Sequence, residues 1–429
     1  MEKVVSLTKR RGFVYPGSEI YGGLANTWDY GPLGVELKNN IKQQWWKSFV
    51  QSKSEIYGLD GGILMNPRIW EASGHIKGFV DIFVDCLKCR KRFRIDHLEG
   101  AEKCPECRGA FTEPRRFVPM FRTFIGPVED AASTAFLRPE TAQAIFVNFK
   151  NVVDSFHPDL PFGIAQIGKA FRNEITLGNF IFRSLEFEQM EIEYFIQEEQ
   201  WEEFYDNWKK SMEDWIVDLG VKRENLTWRR HSQNELSHYS KRTEDLEYNF
   251  PFGVKELYGL AYRTDFDLKT HSQHSGEDLT YRDPVTGEKF YPHVIEPSMG
   301  LERTFLVILL EAYHEEDIEG KKRVVLKLNP KLSPYKVAVF PLLANKEDLV
   351  SKAKEIYNNL KLDLSAAFDA RGNIGKRYFS QDEIGTPWCV TVDFQTLEDN
   401  TVTVRDRDSM QQERMPVDKL LSYFQNKLK

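Results

Sequence analysis

The chain has 429 residues, 41% hydrophobic and 29% charged, with a formal net charge of −7. This is a globular composition, with chain enough for two or three domains, and the negative balance excludes a general nucleic-acid-coating protein while allowing an RNA partner met through local patches or shape. Five cysteines in so long a chain are no secreted disulfide framework, the start MEKVVSLTKRRGF has no apolar leader, and the longest strongly apolar run, Phe305 to Leu310, is too short to span a bilayer; the expectation is a cytoplasmic protein without membrane contact.

Residues 12–34 are rich in Gly, Pro and aromatics and read as irregular structure with tight turns. A helix is expected from about Val35 to Gln51, with Val35, Leu37, Ile41, Trp45 and Phe49 as its apolar stripe. Gly61 to Pro67 reads as a strand ended by proline. Cys86-x2-Cys89-x14-Cys104-x2-Cys107 puts four thiolates within reach of one tetrahedral zinc, at zinc-ribbon spacing. The expected metal is structural and closed to substrate; the alternative is four unconnected buried cysteines. Leu137 to Gln143 is expected to start a helix, with Pro139 and Glu140 in its first turn, where the missing N–H costs nothing and the acid suits the dipole.

Residues 163–195 read as two β-runs joined near Leu177, Gly178 and Asn179. Alternation puts Gln166, Gly168, Ala170, Arg172 and Glu174 on one side of the first run, and Arg183, Phe187, Gln189 and Glu191 on one side of the second. Arginines suit phosphates and carboxylates suit an ammonium group, so this face fits a ligand carrying both. The stretch alone also fits a hairpin with a salt-bridged outer face. Phe171-Arg172-Asn173-Glu174, followed by Phe182-Arg183-Ser184-Leu185-Glu186-Phe187, resembles motif 2 of class II aminoacyl-tRNA synthetases. Phe187-Glu188-Gln189-Met190-Glu191 is similar to the single-polypeptide glycyl-tRNA synthetases in particular.

Further along, Trp201, Phe204, Tyr205, Trp208, Met212, Trp215 and Ile216 recur at helical spacing up to Gly220 and read as core. The pair His271 and His274 lacks a third ligand at persuasive spacing and is not read as a metal site. Val294 to Arg303 leads into a helix apolar on nearly every side, where an arginine is costly unless it is paired or meets an anion. This segment, with Glu296-Pro297-Ser298-Met299-Gly300 before Leu301-Glu302-Arg303, resembles motif 3 in its glycyl-tRNA synthetase form. After Asn329-Pro330 the pattern becomes alternating strands and helices: a strand at Lys336 to Pro341, a helix at Lys346 to Leu360, strands at Trp388 to Phe394 and Thr401 to Arg405, and a closing helix near Val417 to Leu428. Gly375 to Tyr378 and Asp382 to Pro387 resemble the anticodon-binding domain of several class II synthetases, although a basic cluster on a small α/β module fits them locally. Cys389 reads as core.

The resemblance covers essentially the whole chain. It implies an α+β catalytic domain over residues 1–330, an antiparallel sheet flanked by helices with the zinc-ribbon-like insertion at 86–107, followed by an α/β anticodon-binding domain over 331–429. No GxxxxGK[ST] loop and no strand-linked GxGxxG competes with it. The helix and strand before residue 67 resemble motif 1, implying a homodimer. The implied reaction is attack of the glycine carboxylate on ATP, with Mg²⁺, followed by transfer to the 3′ end of tRNA(Gly); no DNA partner is expected. The catalytic residues implied are Arg172, Glu174 and Arg303. Arg172 holds the α-phosphate and glycine carboxylate, Arg183 and Arg303 the distal phosphates, Phe187 and Arg303 enclose adenine, and Glu174 lies at its amino edge. Asn173, Phe182, Ser184, Leu185, Glu186, Glu256, Leu257, Gly300, Leu301 and Glu302 complete the ATP set, with Glu256 at Mg²⁺. Arg94, Glu140, Phe187, Glu188, Gln189, Met190, Glu191, Glu296, Pro297, Ser298, Met299 and Gly300 form the glycine set. Two rivals share parts of this pattern. A non-catalytic, nucleic-acid-binding relative conflicts with intact Arg172, Glu174 and Arg303, and a tRNA-independent amino-acid ligase lacks a carboxy-terminal α/β domain. The sequence departs from the family at Phe79 to Phe83, where Asn-Asp-Pro is common, and in its short cysteine-bearing insertion.

Overall fold

The structure, a computed structural model, describes residues 1–78, 80–98, 100–174 and 178–428. Phe79 and Leu177, both singled out above, lie outside the described residues.

A seven-stranded sheet carries the larger part of the chain. Its strands are β1 (Ile56–Gly58), β2 (Phe162–Phe171), β3 (Glu186–Ile196), β4 (Leu226–Arg230), β5 (Arg242–Phe250), β6 (Gly253–Thr264) and β7 (His293–Gly300), in the order β4-β5-β6-β7-β3-β2-β1. All neighbours pair antiparallel except β1, which runs parallel to β2 at the edge. One face is covered by α1 (Pro32–Trp46), α3 (Trp201–Asp218) and α4 (Leu301–Ala312), whose buried residues join Met190, Ile192, Tyr258, Leu260, Ile295 and Met299 in the main core. The other face changes character along its strands. At one end Phe162, Ile164 and Phe195 pack against Phe146 and Phe149 of α2 (Ala142–Phe156), while toward Phe187 and Arg172 the same face becomes polar.

Several elements differ from the sequence expectation. In α1, Leu33, Leu37, Ile41 and Trp45 are buried and Val35 is 43% exposed. Val35 and Leu37 stand about 200° apart around a helix of 3.6 residues per turn, so both cannot face the core. Phe49 is buried in a π-helical turn, Lys47–Gln51, that prolongs α1. The strand after it is β1, whereas residues 61–67 are irregular, with Leu64 in a single bridge to Leu137. The backbone there serves a side chain: the carbonyls of Gly61 and Gly62 accept from Arg138 Nη1 at 2.6 and 3.3 Å. Helix α2 starts at Ala142, so Pro139 and Glu140 precede it and the first-turn account of Glu140 fails. The aromatic stripe of α3 is core as expected, with Tyr205, Trp208, Met212, Trp215 and Ile216 buried.

The carboxy-terminal region forms a five-stranded sheet of β8 (Val337–Pro341), β9 (Ala366–Phe368), β10 (Trp388–Val392), β11 (Thr401–Asp406) and β12 (Gln412–Pro416), in the order β9-β8-β10-β11-β12. Helices α5 (Glu347–Leu360) and α7 (Leu420–Lys427) supply one hydrophobic cluster, and α6 (Ile374–Asp382) brings Ile374 and Tyr378 to a second one holding buried Cys389. A network of buried charge joins this region to the hairpin Tyr313–Ile318/Lys321–Leu326 that follows α4. Asp382 accepts from Arg323 Nε at 2.8 Å and from Arg405 Nη1 and Nη2 at 2.9 and 3.1 Å. Arg323 also donates to Glu316 at 2.6 Å, and Arg407 to the carbonyls of Gly385 and Leu328 at 2.8 Å each.

Candidate active site

The hairpin of β2 and β3 sets Ala170 opposite Phe187, Gly168 opposite Gln189 and Gln166 opposite Glu191. From the other side β7 sets Gly300 opposite Gln189 and Ser298 opposite Glu191, and β6 sets Gly259 opposite Ser298 and Ala261 opposite Glu296. Alternation puts Phe187, Gln189, Glu191, Glu193, Glu296 and Ser298 on one face, where the small residues beside them leave a hollow. Gly168 is required: a Cβ there would lie 2.3 Å from the Arg138 guanidinium.

The mouth of this hollow is a cleft of about 340 Å³, in the range for small-molecule sites. Arg94, Arg172, Arg183 and Arg303 line it together with Glu174, Phe182, Ser184, Phe187, Gln189, Glu256, Leu257, Ser298 and Gly300. Arg172 is held by Nε donating to Pro139 O at 3.0 Å, with its guanidinium 5.3 Å from the Phe187 ring. Arg303, in the first turn of α4, lies 4.5 Å over the Phe182 ring and contacts the Glu256 carboxylate at 3.1 Å. That arginine holds the Glu256 carboxyl below its ordinary value. Phe187 and Arg303 thus share one cleft, each already stacked with a different partner.

Behind Gln189 and Ser298 lies a group of acids. Glu191 accepts from Thr141 Oγ1, and Gln189 Nε2 donates to it at 3.4 Å. Glu296 accepts from Arg263 Nη1 at 2.9 Å, while the same guanidinium makes two 2.8 Å bonds to Asp267. Glu140 contacts His75 at 3.2 Å and accepts from Gln143 at 3.0 Å. Burial raises Glu191 and pushes Glu296 up to about 8, with neighbouring carboxylates adding to both. Burial would raise Glu140 too, but His75 and Arg263 outweigh it and hold the carboxyl below its usual range. The site therefore offers cations at its mouth and an excess of acid at its base.

Other residues of the expected site are placed elsewhere. Met190, Pro297 and Met299 alternate onto the opposite face, where Met190 and Met299 are core and Trp45 Nε1 donates to Met299 at 3.2 Å. Leu301 is core as well. Glu188 pairs with Lys38 at 2.6 Å and Lys42 at 3.2 Å. Glu302 borders the cleft, but its carboxylate is bound by Lys38 and by the Glu188 N–H, each at 2.8 Å. Glu186 points outward to Lys169 at 2.7 Å, and Asn173 and Leu185 meet neighbouring backbone through their amides. Conversely, Asp81, His75, Thr141, Glu193, Arg263 and Asp267 were not singled out. Glu193 was detectable, since it is two residues beyond Glu191 on the same strand face. Nothing local in the sequence marks Arg263 and Asp267 as a buried pair.

The four cysteines are gathered. Cys86 and Cys107 sulfurs lie 3.4 Å apart, Cys89 and Cys104 3.7 Å apart, and all four within 4.8 Å of one another. Thiolates 2.3 Å from a tetrahedral zinc are separated by about 3.8 Å, so the set fits that ion. The knuckles cap a small sheet of Asp81–Asp85, Arg92–Arg94 and Arg115–Phe117, whose Asp81 and Arg94 pair at 3.1 Å on the cleft wall.

Residues 127–313 match the family described as the class II tRNA synthetase core domain (G, H, P, S and T), and residues 336–427 the anticodon binding domain. The chain is 53% identical to the glycine–tRNA ligase of Caldanaerobacter subterraneus subsp. tengcongensis and 54% identical to that of Alkaliphilus oremlandii, in each case over 100% of this chain and 98% of the relative. Among solved structures it resembles a prolyl-tRNA synthetase from Cryptosporidium parvum complexed with halofuginone and AMPPNP, with a TM-score of 0.67 and 17% identity over 99% of this chain and 74% of that one. That last likeness speaks to fold alone.

Proposed function

The chain belongs to the glycine–tRNA ligase family and attaches glycine to tRNA, and on that premise we propose that the cleft first joins glycine to ATP as an adenylate and then passes it to the 3′ end of tRNA(Gly). The observation that carries this reading is the meeting, on one face of one sheet, of four arginines at a cleft mouth with a base of buried acids. Arg172 holds the α-phosphate and the glycine carboxylate, so that the attacking oxygen and the phosphorus are aligned and the charge developing on phosphoryl oxygens meets a fixed cation. Arg183 and Arg303 take the distal phosphates, and adenine lies between Phe187 and Arg303 with Glu174 at its amino edge. No side chain becomes a covalent nucleophile.

Glu256, kept ionised by Arg303 and half-exposed, suits a Mg²⁺ ion, which supplies charge neutralisation at the distal phosphates. Glycine places its ammonium among Glu140, Glu191, Glu296 and Ser298, with Arg94 and Gln189 at the entrance. An apolar pocket gains only about 1–3 kcal/mol per methylene, whereas inflexible polar groups filling the space beside Cα exclude every larger side chain.

The four cysteines hold a structural zinc, which elemental analysis of native protein tests directly. The domain division lies near residues 330 and 331, the protein works as a cytoplasmic homodimer, and no helix among the described residues is long and apolar enough to cross a membrane. The test of the whole reading is glycine-dependent exchange of pyrophosphate into ATP, followed by release of AMP on addition of tRNA. Exchange without glycine, or none with it, overturns the reading.

A further inference from the structure

Glu193 is fully buried, and neither of its carboxylate oxygens has a hydrogen-bond partner. It is the last polar residue on its face of β3 before the apolar cluster around Phe195, Phe162 and Ile164. Glu191 precedes it on the same strand and Glu296 reaches it from β7; one oxygen from each of the three acids lies within 4.8 Å of the others. Two guanidiniums supply countercharge: Arg263, from the end of β6, already binds Asp267 twice and Glu296 once, and Arg138, whose charge reaches Glu191, spends its donors on the carbonyls of Lys169, Gly61 and Gly62. His75 serves Glu140. His271, on the helix Phe266–Ser275, bonds to Gln143 of α2 and is held below its ordinary value by burial. Tyr239 lies 3.8 Å from the Arg263 guanidinium, on its ring face, and brings no cation.

Three carboxylates therefore meet with no more than one guanidinium contact among them. A buried carboxylate without a partner takes up a proton rather than remain charged. We propose that Glu193 is a positioning acid of the amine pocket that keeps the Glu191–Glu193–Glu296 group protonated while the pocket is empty, and that entry of the glycine ammonium displaces that proton to solvent. The direction of the shifts agrees: burial and Glu296 raise Glu193 well above its ordinary value, and Glu296 stands at about 8. In the displacement the ammonium keeps its three hydrogens, no covalent bond changes in glycine, and the released proton goes to buffer. Glycine binding then competes with protons, so affinity rises with pH until the group is ionised without help. The unpaired acid at the base of the site is thereby a charge reserve that a cationic amine calls on and a neutral ligand does not.

This inference rests on the glycine pocket as proposed above. It is tested by titrating glycine into the full-length protein at pH 7 in PIPES and in imidazole, whose ionisation enthalpies differ, and by following the KM for glycine in pyrophosphate exchange from pH 6 to 8. Wild-type protein is expected to release between about half and one proton per glycine bound, and its KM to fall about fivefold per pH unit below pH 7.5. Glu193→Gln, with folding checked by thermal melting, is expected to release less than about a quarter of a proton and to flatten the KM profile, with the change read in KM rather than kcat. Equal heats in both buffers for the wild type, or an unchanged pH slope in Glu193→Gln, overturn the inference. Glu296→Gln separates the two readings. If it raises the glycine KM while the wild type releases no proton, the pocket stands and the role of Glu193 falls; if it leaves KM untouched, the pocket itself is misassigned.

Discussion

Two of the places where the molecule buries charge are built on opposite plans. Around Asp382 every charge is answered: its two oxygens take three bonds from Arg323 and Arg405, and the other donors of Arg323 and Arg407 reach Glu316, Asp408 or backbone carbonyls. Beneath the cleft, Glu191, Glu193 and Glu296 crowd together and one carboxylate has no partner. A closed network fixes geometry and binds nothing further. An open one keeps binding capacity in reserve, at the cost of stability in the empty protein.

The comparison is broken most severely at the cleft mouth. Arg172→Ala removes a cation from the transferring phosphate and is expected to slow glycine-dependent pyrophosphate exchange at least 10³-fold, about 4 kcal/mol, with a melting temperature close to the wild type's. Asp382→Asn does the reverse. It leaves two buried arginines poorly matched, and is expected to cost about 3 kcal/mol in denaturant unfolding while exchange activity per folded molecule is retained.

A third substitution, Glu296→Gln, acts on both binding and stability and is expected to raise the glycine KM by about tenfold, 1.4 kcal/mol. Because the folded-state value of Glu296 is raised from 4.5 to about 8, its contribution to stability is full below pH 4.5 and declines as pH rises toward 8. The empty protein should therefore melt lower at pH 8 than at pH 5 on account of this group, and the thermal shift given by glycine should be larger at pH 8 than at pH 6. Glu296→Gln should flatten both trends. The smallest effect belongs to charge left in water: Lys150 and Asp154, one turn apart and 3.3 Å from each other on the exposed side of α2, should lose no more than about 0.5 kcal/mol on Lys150→Ala, read in the same unfolding experiment.

Chemistry carried by close spacing was legible from the chain itself. The two CxxC pairs, Arg172 at the end of its strand, Arg183 to Phe187, and Glu296 to Arg303 all announce themselves within a dozen residues, and the cleft brings most of them together. Alternating strands and helices after residue 330 likewise show in the five-stranded sheet. What escaped depends on partners far along the chain. Glu188 and Glu302 sit inside resembling motifs, yet Lys38, remote in sequence, takes both carboxylates. Residues 61–67 form no strand for a similar reason: Arg138 draws on the carbonyls of Gly61 and Gly62. The short strand Ala366–Phe368 and helix Ile374–Asp382 gave no periodic signal long enough to read.

Helix α4 has a job at each end. Its first turn presents Arg303 to the cleft, and the chain leaving its last turn becomes the hairpin that grips Asp382 of the anticodon-binding domain. Twelve helical residues span about 18 Å, a strut between the arginine-lined cleft and the joint that carries the distal module. A tRNA must therefore bridge a span set by the protein. Bending that frame would mean shearing ion pairs shut away from water.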